Sequence, residues 1–178
     1  MSILNVTFRF AEPPDTNTIV SLVESAYRGE SSRIGWTTEA DLLHGQRTDS
    51  QEIRSILNDQ NARLILGVVN GKISATIVVR KKESRAYIGM VSVNPEQQAQ
   101  GLGRALLAQG EFCARETFLC SRAYMTVLVQ RTELIRWYER HGYVYLGQRE
   151  PFPYGDPRFG LPQRRDLEFL VLEKVFHA

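Results

Sequence analysis

The sequence predicts a mixed α/β domain built around one central sheet. Apolar residues recur with a period of two in some segments and with helical spacing in others. The resulting order is one strand, two helices, three strands, and then an alternation of helices and strands. A length of 178 residues is that of one ordinary domain.

Two prolines, Pro13 and Pro14, separate the first strand from the first helix. Positions 3–11 alternate apolar and polar residues, which is typical of a half-buried strand whose apolar face holds Leu4, Val6, Phe8 and Phe10. After the prolines the apolar residues follow helical spacing: Ile19, Leu22, Val23, Ala26 and Tyr27. Asp15 or Thr16 can cap the first turn of that helix.

The second helix is predicted from a weaker pattern. Positions 28–38 are polar and contain glycine, so we expect a loop there. Positions 39–58 then follow an approximate helical spacing that is interrupted near Gly45.

A hairpin and a third strand come next. Asn70-Gly71 separates two runs rich in Leu, Ile and Val, at 63–69 and 72–81. Because a type I′ turn needs positive φ at both central residues, this dipeptide predicts a β-hairpin. Positions 85–93 supply another strand, which Asn94-Pro95 ends.

The last part of the chain alternates helices with strands. Helical spacing resumes after Gly101, with apolar positions at Leu102, Ala105, Leu106, Phe112 and Cys113. A strand at 123–129 precedes a short helix that ends at His141-Gly142. Strands at 143–146 and 167–172 complete the sheet.

The composition excludes several classes of protein. Hydrophobic residues make up 43% of the chain, which is too many for a disordered segment, and a formal net charge of +2 is too small to indicate a nucleic-acid or membrane-surface partner. Cys113 and Cys120 have neither the number for a disulfide framework nor the spacing for a zinc site. We therefore expect a cytoplasmic protein without a targeting segment, a membrane span or a bound metal.

The segment from Gln98 to Gly103 follows a buried strand directly and leads into a helix. Its glycines let the backbone approach a ligand, and the free N–H groups of a first helical turn attract anions. A phosphate or pyrophosphate would fit there, with Arg104 adding one positive charge. The alternative is a tight turn without a ligand. The segment is neither the Gly-x-Gly-x-x-Gly of a dinucleotide fold nor a P-loop.

Two motifs in this sequence resemble those of the GCN5-related N-acetyltransferases. Val93-Asn-Pro95 with Gln98-Ala-Gln-Gly101-Leu-Gly103 resembles the family's acetyl-CoA motif, and Trp137-Tyr138-Glu-Arg-His-Gly142-Tyr143 resembles its second motif. The order of elements agrees over nearly the whole chain. The resemblance implies one domain over 1–178, with a mixed, mostly antiparallel sheet flanked by about four helices and acetyl-CoA as co-substrate.

The resemblance also implies which residues bind acetyl-CoA. Backbone groups of Val91, Ser92 and Val93 would contact the pantetheine arm and the thioester carbonyl. The pyrophosphate would lie on the N–H groups of the turn, namely Gln98, Ala99, Gln100, Gly101, Leu102, Gly103 and Arg104. Gln98 stands where arginine is commoner in the family. Arg131 stands where many relatives have asparagine, and its guanidinium could reach a phosphate of CoA.

Tyr138 is the residue that the resemblance assigns to catalysis. The thiol of CoA resembles a cysteine thiol with a pKa near ~8.5, whereas a tyrosine with a pKa near ~10 is protonated at neutral pH. Tyr138 can therefore donate a proton as the thiolate departs. The alternative is an ordinary core tyrosine beside Trp137.

Residues for the acceptor are less well defined. The attacking ammonium must first lose a proton, and Glu30 and Glu39 are candidate bases, with a water chain as the alternative. Tyr27 and Trp36 are candidates for packing the acceptor. The segment 151–162 is aromatic and rich in proline, and Phe152 and Tyr154 would form either part of a lid or a stiff bridge between strands. Each of these residues could instead be a solvated or packing residue.

The function expected from these observations is transfer of an acetyl group from acetyl-CoA to a primary amine of a small molecule. A peptide N-terminus or a lysine side chain is an alternative acceptor. A domain that binds CoA without turnover is a third reading, which would not need Tyr138. Because sheet edges often serve in dimers of this family, a homodimer is the expected assembly.

Overall fold

A seven-stranded mixed sheet forms the centre of the molecule in the computed structural model, which describes residues 5–177. In chain order the elements are β1 (Val6–Phe10), α1 (Thr16–Tyr27), α2 (Gly29–Ser32), β2 (Leu43–His44), α3 (Ser50–Asn58), β3 (Ala62–Val69), β4 (Lys72–Lys82), β5 (Arg85–Val93), α4 (Leu102–Phe112), β6 (Arg122–Leu128), α5 (Thr132–Arg140), β7 (Val144–Pro151), β8 (Leu161–Pro162) and β9 (Glu168–Val175). The sheet order is β1-β3-β4-β5-β6-β9-β7, and β2 pairs with β8 in a separate two-stranded sheet.

The predicted fold class is confirmed. In the large sheet every neighbouring pair is antiparallel except β5 and β6. Within the described residues there are five helices, and four of them have nine residues or more. None of these helices is long and apolar enough to cross a membrane.

The helices cover both faces of the sheet. Leu106 of α4 and Ile135 of α5 belong to the larger apolar cluster, on one face. Ile19 and Val23 of α1 pack with Ile53 of α3 in a second cluster, on the other. The apolar stripe predicted for α1 is therefore buried as expected, whereas Phe112, the last residue of α4, is exposed.

The predicted start of α1 needs a correction. Neither Asp15 nor Thr16 caps its free N–H groups. The Asp15 carboxylate instead accepts the backbone N–H of Glu12 and pairs with Arg9 at 2.7 Å, and the Thr16 hydroxyl donates to the Pro13 carbonyl. Both side chains therefore bond to a short 3₁₀ turn that precedes the helix.

The predicted first strand is shorter than expected. Positions 3 and 4, including Leu4, lie outside the described residues. Val6 and Phe8 are partly buried, but Phe10 is 51% exposed because β1 is an edge strand whose last residue extends beyond the core.

The region predicted as a weak helix is helical only in its second half. The helix α3 starts where the Asp49 carboxylate accepts the N–H of Glu52 at 2.8 Å. Before it, Leu43 and His44 form β2, and Gly45 has a φ of 76°. The preceding segment, expected to be a loop, contains the one-turn helix α2.

The hairpin prediction is confirmed. Asn70 and Gly71 have φ values of 50° and 78°, as a type I′ turn requires. They join β3 and β4, which pair antiparallel from Val69↔Lys72 to Ala62↔Arg80 with a register shift between Gly67 and Val68.

The strands β5 and β6 separate soon after they begin. They pair in parallel only from Arg85↔Arg122 to Tyr87↔Tyr124. Farther along, β5 also bulges against β4, and Met90 takes a positive φ of 53°. The sheet therefore opens between the carboxyl ends of these two strands, where ligands of α/β proteins commonly bind.

Candidate functional site

Two cavities meet at the opening between β5 and β6. We call one the turn cavity, because the residues from Gln98 to Arg104 form its wall, and the other the arginine cavity, because four arginines line it. Five residues line both cavities: Tyr27, Val91, Arg131, Leu134 and Tyr138. A molecule in one cavity can therefore contact a molecule in the other.

The turn before α4 exposes a run of backbone donors. Ala99 and Gly101 have positive φ values of 61° and 84°, so the chain reverses sharply before the helix starts at Leu102. Within residues 5–177, none of the backbone N–H groups from Ala99 to Arg104 donates a hydrogen bond. Together with the positive end of the α4 dipole, these groups form an anion site that does not depend on a charged side chain.

The side chain of Gln98 has a different role from the one expected. Its carbonyl oxygen accepts the Trp36 N–H at 2.9 Å, and its amide nitrogen donates to the Thr37 hydroxyl and the Val93 carbonyl. These contacts occupy the donors that would have replaced the commoner arginine. Gln98 therefore attaches the segment around Trp36 to the turn.

The end of β5 forms one wall of both cavities. The Val91 carbonyl accepts the Tyr27 hydroxyl at 2.6 Å. Ser92 is buried, and its hydroxyl donates to the Met90 carbonyl, whereas the Val93 side chain lines the turn cavity. Ser92 itself lines neither cavity and pairs with Thr76 of β4.

Tyr138 lies where the two cavities join. Its side chain is 4% exposed and packs edge-on against Trp137, with ring centroids 5.0 Å apart. Within the described part of the chain its hydroxyl forms no hydrogen bond, although it lines both cavities. Burial raises the pKa of this hydroxyl well above its ordinary value, so it remains protonated.

Trp36 lies on the turn side of Tyr138. It lines the turn cavity, where its ring centroid is 6.2 Å from that of Trp137. It does not line the arginine cavity. Tyr27, the other aromatic residue expected to pack the acceptor, lines both.

Glu39 forms the centre of a buried cluster with Arg28 and Arg131. One carboxylate oxygen pairs with the Arg28 guanidinium, and the other accepts from Arg131 at 2.8 Å. Burial alone would raise the pKa of Glu39, but the positive charges of Arg131 and Arg28 outweigh it and the net shift is downward. Glu39 is therefore ionised and a poor proton acceptor.

Arg131 takes part in the same cluster. Its guanidinium donates to Glu39 and to the Thr37 carbonyl, and its side chain also lines the turn cavity. These contacts use part of its donor set, and the predicted contact with a CoA phosphate stays a prediction.

The structure gives no support to Glu30 as a base. Its side chain is 90% exposed, pairs with Arg33 at 2.9 Å and lines neither cavity. It is a solvated surface charge.

The segment 151–162 connects strands and contributes to the arginine cavity. Phe152 is buried against Leu43 and lines this cavity, as does Phe159, which the sequence did not indicate. Tyr154 lines neither cavity, and its hydroxyl accepts the Leu167 N–H at 2.7 Å, so the expectation that Tyr154 contacts the acceptor is not supported. β8 lies in the same segment and pairs with β2, which makes the segment a bridge between strands, whereas its role as a lid stays a prediction.

Three arginines of this cavity were not predicted. Arg28, Arg47 and Arg80 come from separate parts of the chain and reach the cavity only in the folded structure. Among the described residues no group of three or more His, Cys, Asp or Glu side chains is suited to a metal ion.

Comparison with known proteins agrees with this geometry. The sequence profile of the Acetyltransferase (GNAT) family matches residues 22–143. The fold is similar to that of the ribosomal-protein-S18-alanine N-acetyltransferase of Escherichia coli, with 17% identity, a TM-score of 0.71, and coverage of 97% of this chain and 95% of that one. A GNAT acetyltransferase of Streptococcus pneumoniae has 16% identity and a TM-score of 0.68 over 97% of this chain and 100% of its own.

A third similar structure is the spermidine/spermine N-acetyltransferase of Vibrio cholerae. It has 15% identity and a TM-score of 0.68, with coverage of 96% of this chain and 92% of that one. No curated protein sequence matches significantly. Because the family profile covers more than half of the chain, the chain belongs to the GNAT family of acetyltransferases.

Proposed function

We propose that this protein transfers an acetyl group from acetyl-CoA to a primary amine of a small molecule. The observation that carries the proposal is the position of Tyr138. Its protonated hydroxyl, which has no hydrogen-bond partner within residues 5–177, lies where the turn cavity meets the arginine cavity. The turn cavity offers an anion site, and the arginine cavity has room for the acceptor. The relatives named above act on an alanine of a ribosomal protein and on spermidine, which supports an amine acceptor.

The turn cavity fits acetyl-CoA. The pyrophosphate would accept hydrogen bonds from the N–H groups between Ala99 and Arg104, which have no partner among residues 5–177. The separation of β5 from β6 leaves room for the pantetheine arm along the backbone of Val91, Ser92 and Val93. In this arrangement the thioester lies beside Tyr138.

The proposed reaction is a direct transfer of the acetyl group in which groups of the chain assist the bond changes. The amine nitrogen forms a bond to the acetyl carbon while the bond from that carbon to sulfur breaks. Tyr138, which burial keeps protonated, donates its proton to the departing sulfur as negative charge develops on it, so that CoA leaves as the thiol. A backbone N–H of the β5 end would stabilise the negative charge on the acetyl oxygen.

We assign no side chain as the general base. Glu39 is a buried carboxylate that lines the arginine cavity, but its arginine partners hold its pKa down. The ammonium would lose one proton to water in the arginine cavity before it attacks, and the nitrogen would lose a second proton as the amide forms. One of these protons replaces the one that Tyr138 gives to sulfur, and the other is released to the solvent.

A small acceptor is favoured over a peptide by the walls of the arginine cavity. Phe152 and Phe159 close one end, and the pairing of β2 with β8 holds their segment in place. An extended peptide needs an open groove or a free strand edge. Tyr27 would then pack against the acceptor beside Tyr138, whereas Trp36 would contact the acetyl-CoA side.

Two measurements test the proposal. Acetyl-CoA should raise the melting temperature of the protein, because a ligand that binds only the folded state stabilises it. Release of free CoA thiol should then follow addition of a suitable amine from a panel of small amines and short peptides. Absence of any thermal shift at millimolar acetyl-CoA would contradict the assignment of the turn cavity, and turnover with peptides alone would contradict a small acceptor.

A further inference from the structure

The arginine cavity carries an excess of positive charge. Four arginines line it, Arg28, Arg47, Arg80 and Arg131, against two glutamates, Glu39 and Glu52. Glu39 is fully engaged by two of these arginines. Glu52 is exposed at the rim and accepts the Thr48 hydroxyl. Among the residues that line the cavity the four cations exceed the two anions by two charges, and Asp59, which pairs with Arg80 from outside the cavity, reduces the excess to one.

Arg47 differs from the other three arginines, each of which has a direct ion pair, because Glu39 and Glu52 act on its charge only at longer range. Its guanidinium forms no hydrogen bond or ion pair with any residue in the range 5–177. Its carbon atom Cζ lies over the Tyr27 ring, 5.4 Å from the centroid. A guanidinium has five N–H donors and is protonated at all relevant pH values, so leaving it partly buried without an acceptor is unfavourable.

Two neighbouring arginines also retain unused donors. The Nε atoms of Arg28 and Arg80 are buried without a hydrogen-bond partner in the described structure. Arg28 is almost completely buried, and the Nε atom of Arg80 is 3.8 Å from the Asp59 carboxylate, which is close enough for an ion pair but too far for a hydrogen bond. Several cations with unused donors around one cavity favour an anionic group in it.

We propose that the acceptor amine carries an anionic group, a carboxylate or a phosphate, which Arg47 binds in the arginine cavity. The inference rests on the proposed acetyl transfer and specifies its acceptor. The Tyr27 ring lies between the two ends of such a molecule: Arg47 contacts the ring, and the Tyr27 hydroxyl bonds to Val91 beside the expected thioester. An anion at Arg47 would therefore leave the amine of the same molecule directed towards Tyr138.

The charge of the cavity also selects against other amines. A polyamine would bring several positive charges into a cavity that already has an excess of them, which raises its energy. A neutral amide of the same shape would leave the arginine donors without a strong acceptor. The acid should therefore be preferred over both.

Matched acceptors test this preference. We would compare an ω-amino acid and an aminoalkyl phosphate with the corresponding amino amide and with spermidine, using the release of CoA thiol. The acid or the phosphate should have a kcat/KM at least tenfold above that of the amide, and spermidine should be the poorest acceptor. A higher kcat/KM for the amino acid would indicate carboxylate recognition, and a higher kcat/KM for the aminoalkyl phosphate would indicate phosphate recognition.

The variant Arg47→Gln supplies the residue-level test. It should raise KM for the anionic acceptor by tenfold to a hundredfold and change kcat/KM for the amide by less than threefold. The matched control is Arg54→Gln, because Arg54 is exposed on α3, makes no ion pair within residues 5–177 and lines neither cavity. This control removes the same charge and should leave KM and kcat/KM unchanged for both acceptors.

A thermal-shift measurement also tests acceptors that bind without being acetylated. In the presence of CoA, the amino acid should raise the melting temperature of the wild type more than its amide does, and Arg47→Gln should abolish the difference. An acid and an amide that are equal in both readouts, or a preference for spermidine, would overturn the inference. A thermal shift with acetyl-CoA alone, in the wild type and in Arg47→Gln, shows that such a failure concerns the acceptor and not acetyl-CoA binding or folding.

Discussion

Replacing Tyr138 by phenylalanine should lower kcat by about 100-fold and leave the fold intact. General acid catalysis by a positioned side chain contributes roughly 10²–10⁴-fold to a rate. A loss at the lower end of that range corresponds to about 2.7 kcal/mol of activation free energy. We expect the lower end because a CoA thiolate is a moderately good leaving group even without a proton donor.

The structure predicts that stability will change little. The phenyl ring would keep the edge-on contacts with Trp137 and Tyr143, whose ring centroids lie 5.0 Å and 5.8 Å away. The hydroxyl that is lost has no hydrogen-bond partner among residues 5–177. The free energy of unfolding should therefore change by less than about 1 kcal/mol.

The assay is continuous release of CoA thiol at saturating acetyl-CoA, with the acetyl-CoA thermal shift measured in parallel. Tyr143→Phe is a matched control, because Tyr143 is buried beside Tyr138 but lines neither cavity. It should retain wild-type turnover. An unchanged kcat in Tyr138→Phe, or an equal loss in both variants, would refute the role of Tyr138 as proton donor.

The pH profile gives an independent check. Because burial raises the pKa of Tyr138, the hydroxyl stays protonated through the alkaline range, and kcat should rise with pH as the amine loses its proton and then level off. A fall in kcat between pH 8 and about 10 that disappears in Tyr138→Phe would mean that the tyrosine ionises there, contrary to its burial.

Three other changes have defined outcomes. Gly101→Glu should abolish the acetyl-CoA thermal shift because it adds a negative charge beside the free amides, whereas Gly147→Glu, at the same positive φ, should keep it. Glu39→Gln should destabilise the fold by roughly 3–5 kcal/mol in urea denaturation, since it leaves buried arginines without their counter-charge, and Glu30→Gln should cost less than about 1 kcal/mol. Because the pKa of Glu39 is lowered in the folded state, its ionised carboxylate stabilises the fold above about pH 4.3, and this stabilisation is lost as the pH falls towards the folded pKa. The unfolding free energies of the wild type and of Glu39→Gln should therefore converge in acid. Gln98→Ala should weaken acetyl-CoA binding only indirectly, by releasing the segment around Trp36, and a loss as complete as that of Gly101→Glu would contradict this.

The features that could be predicted from the sequence depend on residues close together in the chain. The stripe of α1, the Asn70-Gly71 turn and the strand-turn-helix around Gly101 each follow from local spacing or from the backbone freedom of glycine. The family motifs lie in such segments, so the sequence indicates a candidate acetyl-CoA site more directly than an acceptor site.

The features that were missed depend on contacts between distant residues. Glu39 and Arg131 are 92 positions apart, and no periodicity relates them. β2 and β8 have two residues each, which is too few for an alternating pattern, so the sequence predicts a helix over positions 39–49 where the structure has β2. Arg47 had no distinguishing neighbour in the sequence, and only the folded cavity reveals that its charge lacks a partner.

The short pairing of β5 with β6 divides the sheet into two halves that meet along three residue pairs. The turn that carries the amides from Ala99 to Arg104 follows β5, the last strand of the first half. Tyr138 lies on α5, which follows β6 in the second half. Few sheet hydrogen bonds fix the distance between them, so the alignment of the reacting groups depends on the apolar core that both halves share, which contains Leu106 of α4 and Met125 of β6. A displacement of about 1 Å can cost roughly 100-fold in rate. Substitutions beneath α4 that shift one half against the other would therefore slow turnover without altering any group that contacts a substrate.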